Sequence, residues 1–384
     1  MEKLFSAAQA HHRLAMLLPT ATYIATSVVI LVLSGPWSVS AGGWDIYVGA
    51  VFWTLLLLVF AIVFIKKASR IELASMAGST EPGRVLAVKI IGYFFIVLSM
   101  RQLMIWQFYN PWEKLPIVFL VLLQVTVVEG TRLDDLGLHG WRWRNISLAL
   151  ILAGFEVLLL NGGAILFYIL AYGPGVIENV VPCLSCQLYW LSFPYQFLAV
   201  GFGEELFFRG YIYTKLRTHV AKRRGDKVSF WSSMAITNAL FGLFHVTWYV
   251  GNWLAGDFSF DLDGCILRVA GTAVMGLGFT YLYEKTGSLA ASMLAHGFAN
   301  SIQPLVGLIG LLPPRLPWGT FLLHWDYVFI GLAMFAVHII FTRWYVRKTG
   351  GSQRSPPWLV DGGQKIGSGG IEPGKESLYP RDVS

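Results

Sequence analysis

Residues 201–213 read GFGEELFFRGYIY. Glu204, Glu205 and Arg209 stand there in an otherwise apolar and aromatic run. An ionisable side chain at the centre of a membrane helix costs about 2.5 to 3.5 kcal/mol on insertion scales, so such residues mark function by default. That cost applies only if the stretch lies in lipid, and the composition places it there. Of 384 residues, 55% are hydrophobic and 13% charged, against about a quarter charged in an average soluble domain. A mean hydropathy of +0.58, with 15 Trp, 16 Tyr and 26 Phe, fits a protein whose outer surface is apolar as well as its core. A disordered chain is excluded and a soluble enzyme disfavoured.

Because a helix rises 1.5 Å per residue, about 20 apolar residues cross the hydrocarbon. Ten stretches approach that length: Leu14 to Leu33, Ile46 to Ile65, Val85 to Ile105, Leu115 to Val128, Ile146 to Ala171, Leu188 to Thr214, Val228 to Val250, Ile266 to Tyr283, Leu289 to Leu312 and Tyr327 to Phe341. The expected fold is therefore all-α, a polytopic transmembrane helical bundle of about ten spans. The first span lacks a preceding basic region and a small-residue cleavage site and is expected to be retained. N-terminal transmembrane helices (1–187), a polar core (188–312), a last transmembrane helix (313–349) and a disordered Gly, Pro and Ser-rich tail (350–384) make up the expected organisation.

The two sets of loops differ sharply in charge. One set, with both termini, holds 24 Lys and Arg, whereas the other holds only Lys114, Arg268 and Arg315. The expectation is an integral membrane protein with cytoplasmic termini, and the net charge of +7 is read as this asymmetry rather than as affinity for nucleic acid. Short loops and the lack of an organelle signal point to a prokaryotic plasma membrane. Lys222, Arg223 and Arg224 read as an anchor near anionic headgroups. Three cysteines, Cys183, Cys186 and Cys265, support neither a disulfide framework nor a four-thiolate zinc site; the first two form a C-x-x-C on an outward loop, and a disulfide involving Cys265 stays open. Glu156 and Lys89 read as isolated snorkelling or helix-pairing residues, and His338, among other histidines, falls in no recognisable arrangement. Neither a repeat nor an inverted pair of interrupted helices is visible.

Two further stretches carry polar groups into predicted spans: FGLFHVTW (241–248) with His245, and HGFAN (296–300) with His296 and Asn300. Glu205 and Arg209, four residues apart, share a helix face and suit an ion pair. Glu204 is rotated about 100° from its neighbour and is free to face something else. His296 and Asn300 share a face, and Phe241, one turn before His245, would wall it. Glu204 and His245 are equidistant from Arg224 and Gly225, so an antiparallel hairpin turning there sets them at one height. His296, nine residues beyond Gly287, lies about 14 Å along its helix; with the Arg224 hairpin projecting beyond the lipid, all of them share one level.

A carboxylate, two imidazoles and an amide in a buried cavity suit hydrolysis of an amide without a covalent nucleophile. Glu204 acts as general base towards water, with His245 orienting that water, while His296 and Asn300 donate to the oxyanion, a contribution of about 3 to 4 kcal/mol per donor. The alternative is a Zn²⁺ held by His245, His296 and Glu204. No H-E-x-x-H helix is present, and the metal-free version, with no cofactor, is favoured.

EELFFR (204–209), FGLFH (241–245) and HGFAN (296–300) resemble the EExxxR, FxxxH and HxxxN motifs of the CPBP family. These intramembrane endopeptidases include the CAAX prenyl protease II group and bacterial abortive-infection and bacteriocin-processing relatives. GLGFTYLYEKTGSLAASMLAH (276–296) also resembles the glycine-rich helix, turn and following helix that lead to the third motif. The resemblance covers Leu188 to Gln303. It implies an eight-helix core with additions, a membrane-associated protein or peptide, lipidated or not, as substrate, Glu204 as water-activating residue, His245 as its partner, and His296 with Asn300 as the oxyanion or metal-binding pair. The other reading is a catalytically silent membrane protein, an immunity factor or transporter, that keeps the cluster for binding.

Overall fold

The computed structural model describes residues 17–30, 82–108, 113–129, 136–138, 142–182, 196–247, 249–250, 262–301, 306–308 and 319–348. The helices are α1 (Leu17–Ile30), α2 (Pro82–Phe108), α3 (Lys114–Leu123, extended by a π-turn over Gln124–Val128), α4 (Trp143–Tyr172), α5 (the run 196–224), α6 (Asp226–Leu243, with a 3-10 turn over Phe244–Val246), α7 (Leu262–Thr286), α8 (Leu289–Ser301) and α9 (Gly319–Lys348). Two three-residue strands, β1 (Val180–Pro182) and β2 (Val306–Leu308), pair antiparallel with Val181 opposite Gly307. Among the described residues the regular structure is helical apart from that ribbon.

Among the described residues four helices are long and apolar enough to cross a membrane: Gly83–Ile105, Trp143–Tyr172, Leu262–Thr286 and Val328–Lys348. This is fewer than the ten spans expected. The expected span from Ile46 to Ile65 lies outside the described residues, as do Cys183, Cys186, Arg315 and the tail. The expected span from Leu289 to Leu312 is corrected: α8 ends at Ser301 after 13 residues, about 20 Å of helix, and the chain soon enters β2. The signal was in the chain: Ser301 and Gln303 interrupt the apolar run, and Pro304 cannot continue a helix.

Apolar residues face outward on α4 and α9, where Leu158 is 65% exposed and Ile340 61%, as expected of helices with lipid on one side. Inward, α4, α7 and α8 share a core of Leu148, Leu152, Phe279, Leu282, Ala291 and Ala295. A larger core joins α1, α2, α3, α5 and α6 around Tyr93, Ile117, Phe207, Phe208, Phe241 and Phe244.

Two glycine turns set the heights of the polar residues. Gly225 (φ 81°) reverses the chain between α5 and α6, and Gly287 (φ 62°) between α7 and α8; a side chain is disfavoured in that backbone region. Arg217 braces the first reversal: its guanidinium donates to the Asp226 carbonyl at 3.0 Å and to Glu284 Oε1 at 3.0 Å. Burial pulls the Arg217 guanidinium down, but Glu284 and Asp226 more than offset it and hold it above its ordinary value.

Candidate active site

Helix α5 is not a regular α-helix. Gln196–Gly201 and Leu206–Tyr213 are π-helical, and between them lies a single α-turn, Phe202–Glu205. Wide turns of this kind concentrate at functional sites. The α-turn carries both glutamates, each buried to within 2% of full burial.

Close backbone approach positions that turn. A Cβ on Gly203 would lie 2.6 Å from the Lys114 carbonyl oxygen, and one on Gly297 would lie 2.9 Å from Phe197 Cα. Lacking side chains at these points, α3 and α8 both press against α5. The consequence is that Lys114 reaches Glu204 from one side while Ser292 and His296 reach Glu205 from the other.

Glu205 is fully committed to its neighbours. Its Oε1 accepts from Arg209 Nη1 at 2.9 Å and from His296 Nδ1 at 2.7 Å, and its Oε2 accepts from the Ser292 hydroxyl. Arg209, with no exposed surface, also donates to Thr280 Oγ1 (3.2 Å), Asn238 Oδ1 (3.2 Å) and the Gly276 carbonyl (2.9 Å). Its guanidinium lies 4.3 Å from the Phe241 ring centre. A buried ion pair is tolerated only when its remaining donors and acceptors are met, and here they are.

Glu204 is held differently. Its Oε1 meets Lys114 Nζ, with Arg101 Nη1 at 3.7 Å. Its Oε2 is buried and has no hydrogen-bond partner among the described residues, and His296 Nε2 lies 3.6 Å away from it. Glu113 completes a four-charge group, accepting from Arg101 Nη1 at 2.8 Å with Lys114 Nζ at 3.2 Å. Both cations lie over the Phe244 ring, at 4.0 and 4.5 Å from its centre. Two acids and two bases balance within this space.

His245 and Phe241 pack beside this centre. His245 Nδ1 lies 2.9 Å from the Phe241 carbonyl; a carbonyl only accepts, so Nδ1 carries the proton and Nε2 keeps its lone pair. By the same reasoning His296 donates from Nδ1 to Glu205. Phe241 packs edge-on against both rings, at 5.1 Å from His245 and 5.7 Å from His296, which makes it the wall expected of it. Among the described residues His245 makes no hydrogen bond or ion pair with Glu204; the acid's imidazole neighbour is His296. Asn300, one turn beyond His296 in α8, is partly buried.

Three residues of the site were missed or misread from sequence. Lys114, counted among outward loop charges, is 1% exposed and pairs with Glu204. Arg101 is an arginine in a predicted span, so the criterion that singled out Arg209 applied to it as well. Ser292 stands four residues before His296, and that spacing alone put it on the catalytic face.

Among the described residues no three His, Cys, Asp or Glu side chains are grouped to hold a metal ion, and Lys114 and Arg101 already occupy the surroundings of Glu204 with positive charge.

Residues 186–302 match the family model described as Type II CAAX prenyl endopeptidase Rce1-like. The match spans 117 of the 384 residues and marks this segment as similar to that family. No curated protein and no solved structure matched it. The Rce1-like segment runs through α5, α6, α7 and α8, which supply Glu204, Glu205, Arg209, His245, His296 and Asn300. Arg101, Glu113 and Lys114 come from α2 and the start of α3, outside it.

Proposed function

We propose that this chain is an intramembrane endopeptidase that hydrolyses a peptide bond of a membrane-associated protein by attack of a water activated by Glu204. The observation that carries the reading is the pair of facing atoms, Glu204 Oε2 without a partner and His296 Nε2 at 3.6 Å. With His296 protonated on Nδ1 both atoms are acceptors, and a group with protons to give, such as water, satisfies them together.

The roles follow from the chemistry of each side chain. Glu204 takes a proton from the attacking water and later delivers it to the leaving amine. Lys114 and Arg101 compensate the charge of Glu204 while the site is empty. His296, backed by Glu205 and Arg209, takes that proton from Glu204 on Nε2, holds it towards the oxyanion while the intermediate lasts and returns it for delivery to the amine, and Asn300 adds an amide donor. His245 orients the water. No step passes through a metal.

The family description names prenylated CAAX proteins, and a lipidated C-terminal segment is the substrate class proposed here. The proposed setting is a prokaryotic plasma membrane with both termini cytoplasmic, from the asymmetry of Lys and Arg. Purified protein in nanodiscs should cleave a prenylated or transmembrane peptide, keep that activity in a strong chelator, and lose it on Glu204→Ala. Cleavage that survives Glu204→Ala ends this reading, and loss to chelator that zinc restores replaces the mechanism with a metal-dependent one.

A further inference from the structure

A second acid–imidazole pair lies outside the three motifs. Glu156 of α4 and His338 of α9 are 0% and 1% exposed, and Glu156 Oε1 lies 2.7 Å from His338 Nε2. Among the described residues no Lys or Arg forms an ion pair with this glutamate. Both side chains face inward from helices whose outer faces are apolar. Placing a polar pair in this position is costly, and neither residue enters the hydrolysis proposed above.

The pair leads to the active site through one aromatic ring. A Cβ on Gly278 would lie 3.0 Å from His338 Cγ, so the imidazole rests directly on the α7 backbone. The next residue, Phe279, meets His338 edge-on with ring centres 5.4 Å apart. On its other side Phe279 stacks on His296, with centres 4.8 Å apart and planes inclined by only 14°. Glu156, His338, Phe279 and His296 thus form a continuous series from α4 through α9 and α7 to α8. Glu205 fixes one atom of the His296 ring, Nδ1, and a single hydrogen bond leaves rotation about it open. The flat contact with Phe279 sets the ring plane and with it the direction of Nε2.

We propose that Glu156 and His338 are positioning residues, which hold Phe279 against His296 and so aim His296 Nε2 at Glu204. The pair acts through hydrogen-bonded geometry, not through its charge. It rests on the reading of Glu204 and His296 as reacting groups, and the experiment separates the two.

His338→Leu and Glu156→Leu should lower kcat roughly tenfold to hundredfold with KM near wild type, the scale of a displacement of about 1 Å in a reacting group. Glu156→Gln, which keeps an acceptor for His338 Nε2–H, should retain most of the activity. Phe279→Leu, which removes the stacked ring and leaves the polar pair intact, should reproduce the fall in kcat even if the leucine variants do not fold. Independently of turnover, the His296 Cε1 proton in histidine-labelled protein should be shifted upfield by the Phe279 ring and should move downfield in Phe279→Leu and Glu156→Leu. Unchanged kcat in Phe279→Leu, or a Glu156→Gln loss as large as that of Glu156→Leu, overturns the proposal. Activity surviving Glu204→Ala would fail the catalytic reading instead, and the proton shift would still decide whether the pair sets the ring.

Discussion

Two buried acid–imidazole pairs lie on opposite sides of Phe279, and they are built on different principles. Around Glu204, Glu205 and His296 every carboxylate meets a cation, Lys114, Arg101 or Arg209. Around Glu156 and His338 the partner among the described residues is the imidazole alone, set among apolar helices. A densely countered group can hold ionised side chains and still leave one oxygen, Glu204 Oε2, available for chemistry. An isolated pair has only each other to satisfy and serves as a fixed strut. Burial is common to both; what separates a reacting site from a structural one here is the supply of compensating charge.

That contrast can be broken at several points. The largest effect should come from Glu204→Gln, which keeps the shape and removes the base; a general base is worth about a hundredfold to ten-thousandfold, so its turnover should fall well below that of His338→Leu in the same peptide assay. Comparable losses for the two variants would erase the distinction. Arg209→Ala should destabilise the protein by about 3 to 5 kcal/mol, because Glu205 is left buried without its cation, and thermal unfolding in detergent reads this directly.

Lys114 and Glu204 should be coupled. Lys114→Met alone leaves an uncompensated acid, whereas Lys114→Met with Glu204→Gln removes both charges, so a double-mutant cycle should return a coupling of about 0.5 to 3 kcal/mol; additive losses would mean that the contact contributes nothing to stability. The smallest effect should be that of Gly203→Ala, whose methyl must push the Lys114 carbonyl away at a cost of about 1 to 3 kcal/mol. Activity should fall with it, since Lys114 and Glu204 are displaced together, and wild-type melting and turnover in that variant would show that the close approach is not needed.

Much of this was legible in the chain. Charges inside apolar runs identified Glu204, Glu205, Arg209, His245 and His296, because desolvation makes such residues rare without a purpose. Helical spacing gave the Glu205–Arg209 pair, and the glycines at 225 and 287 gave the reversals. What escaped is of two kinds. Lys114 and Glu204 are separated by 90 residues, and no periodicity relates side chains on different helices. The end of α8 at Ser301 escaped because the apolar residues on either side of Gln303 and Pro304 were read as one run, although the proline marks a break. His245 illustrates a third difficulty: its helix and height were anticipated, yet its hydrogen bond goes to its own turn, because a ring nitrogen in a helix can reach the carbonyl four residues back.

Gly203 limits anyone who would redesign this protein. The separation between α3 and α5 is set by a side chain that is missing, and no amino acid is smaller than glycine. Every alternative at that position widens the gap, so this spacing can be loosened by substitution but never tightened.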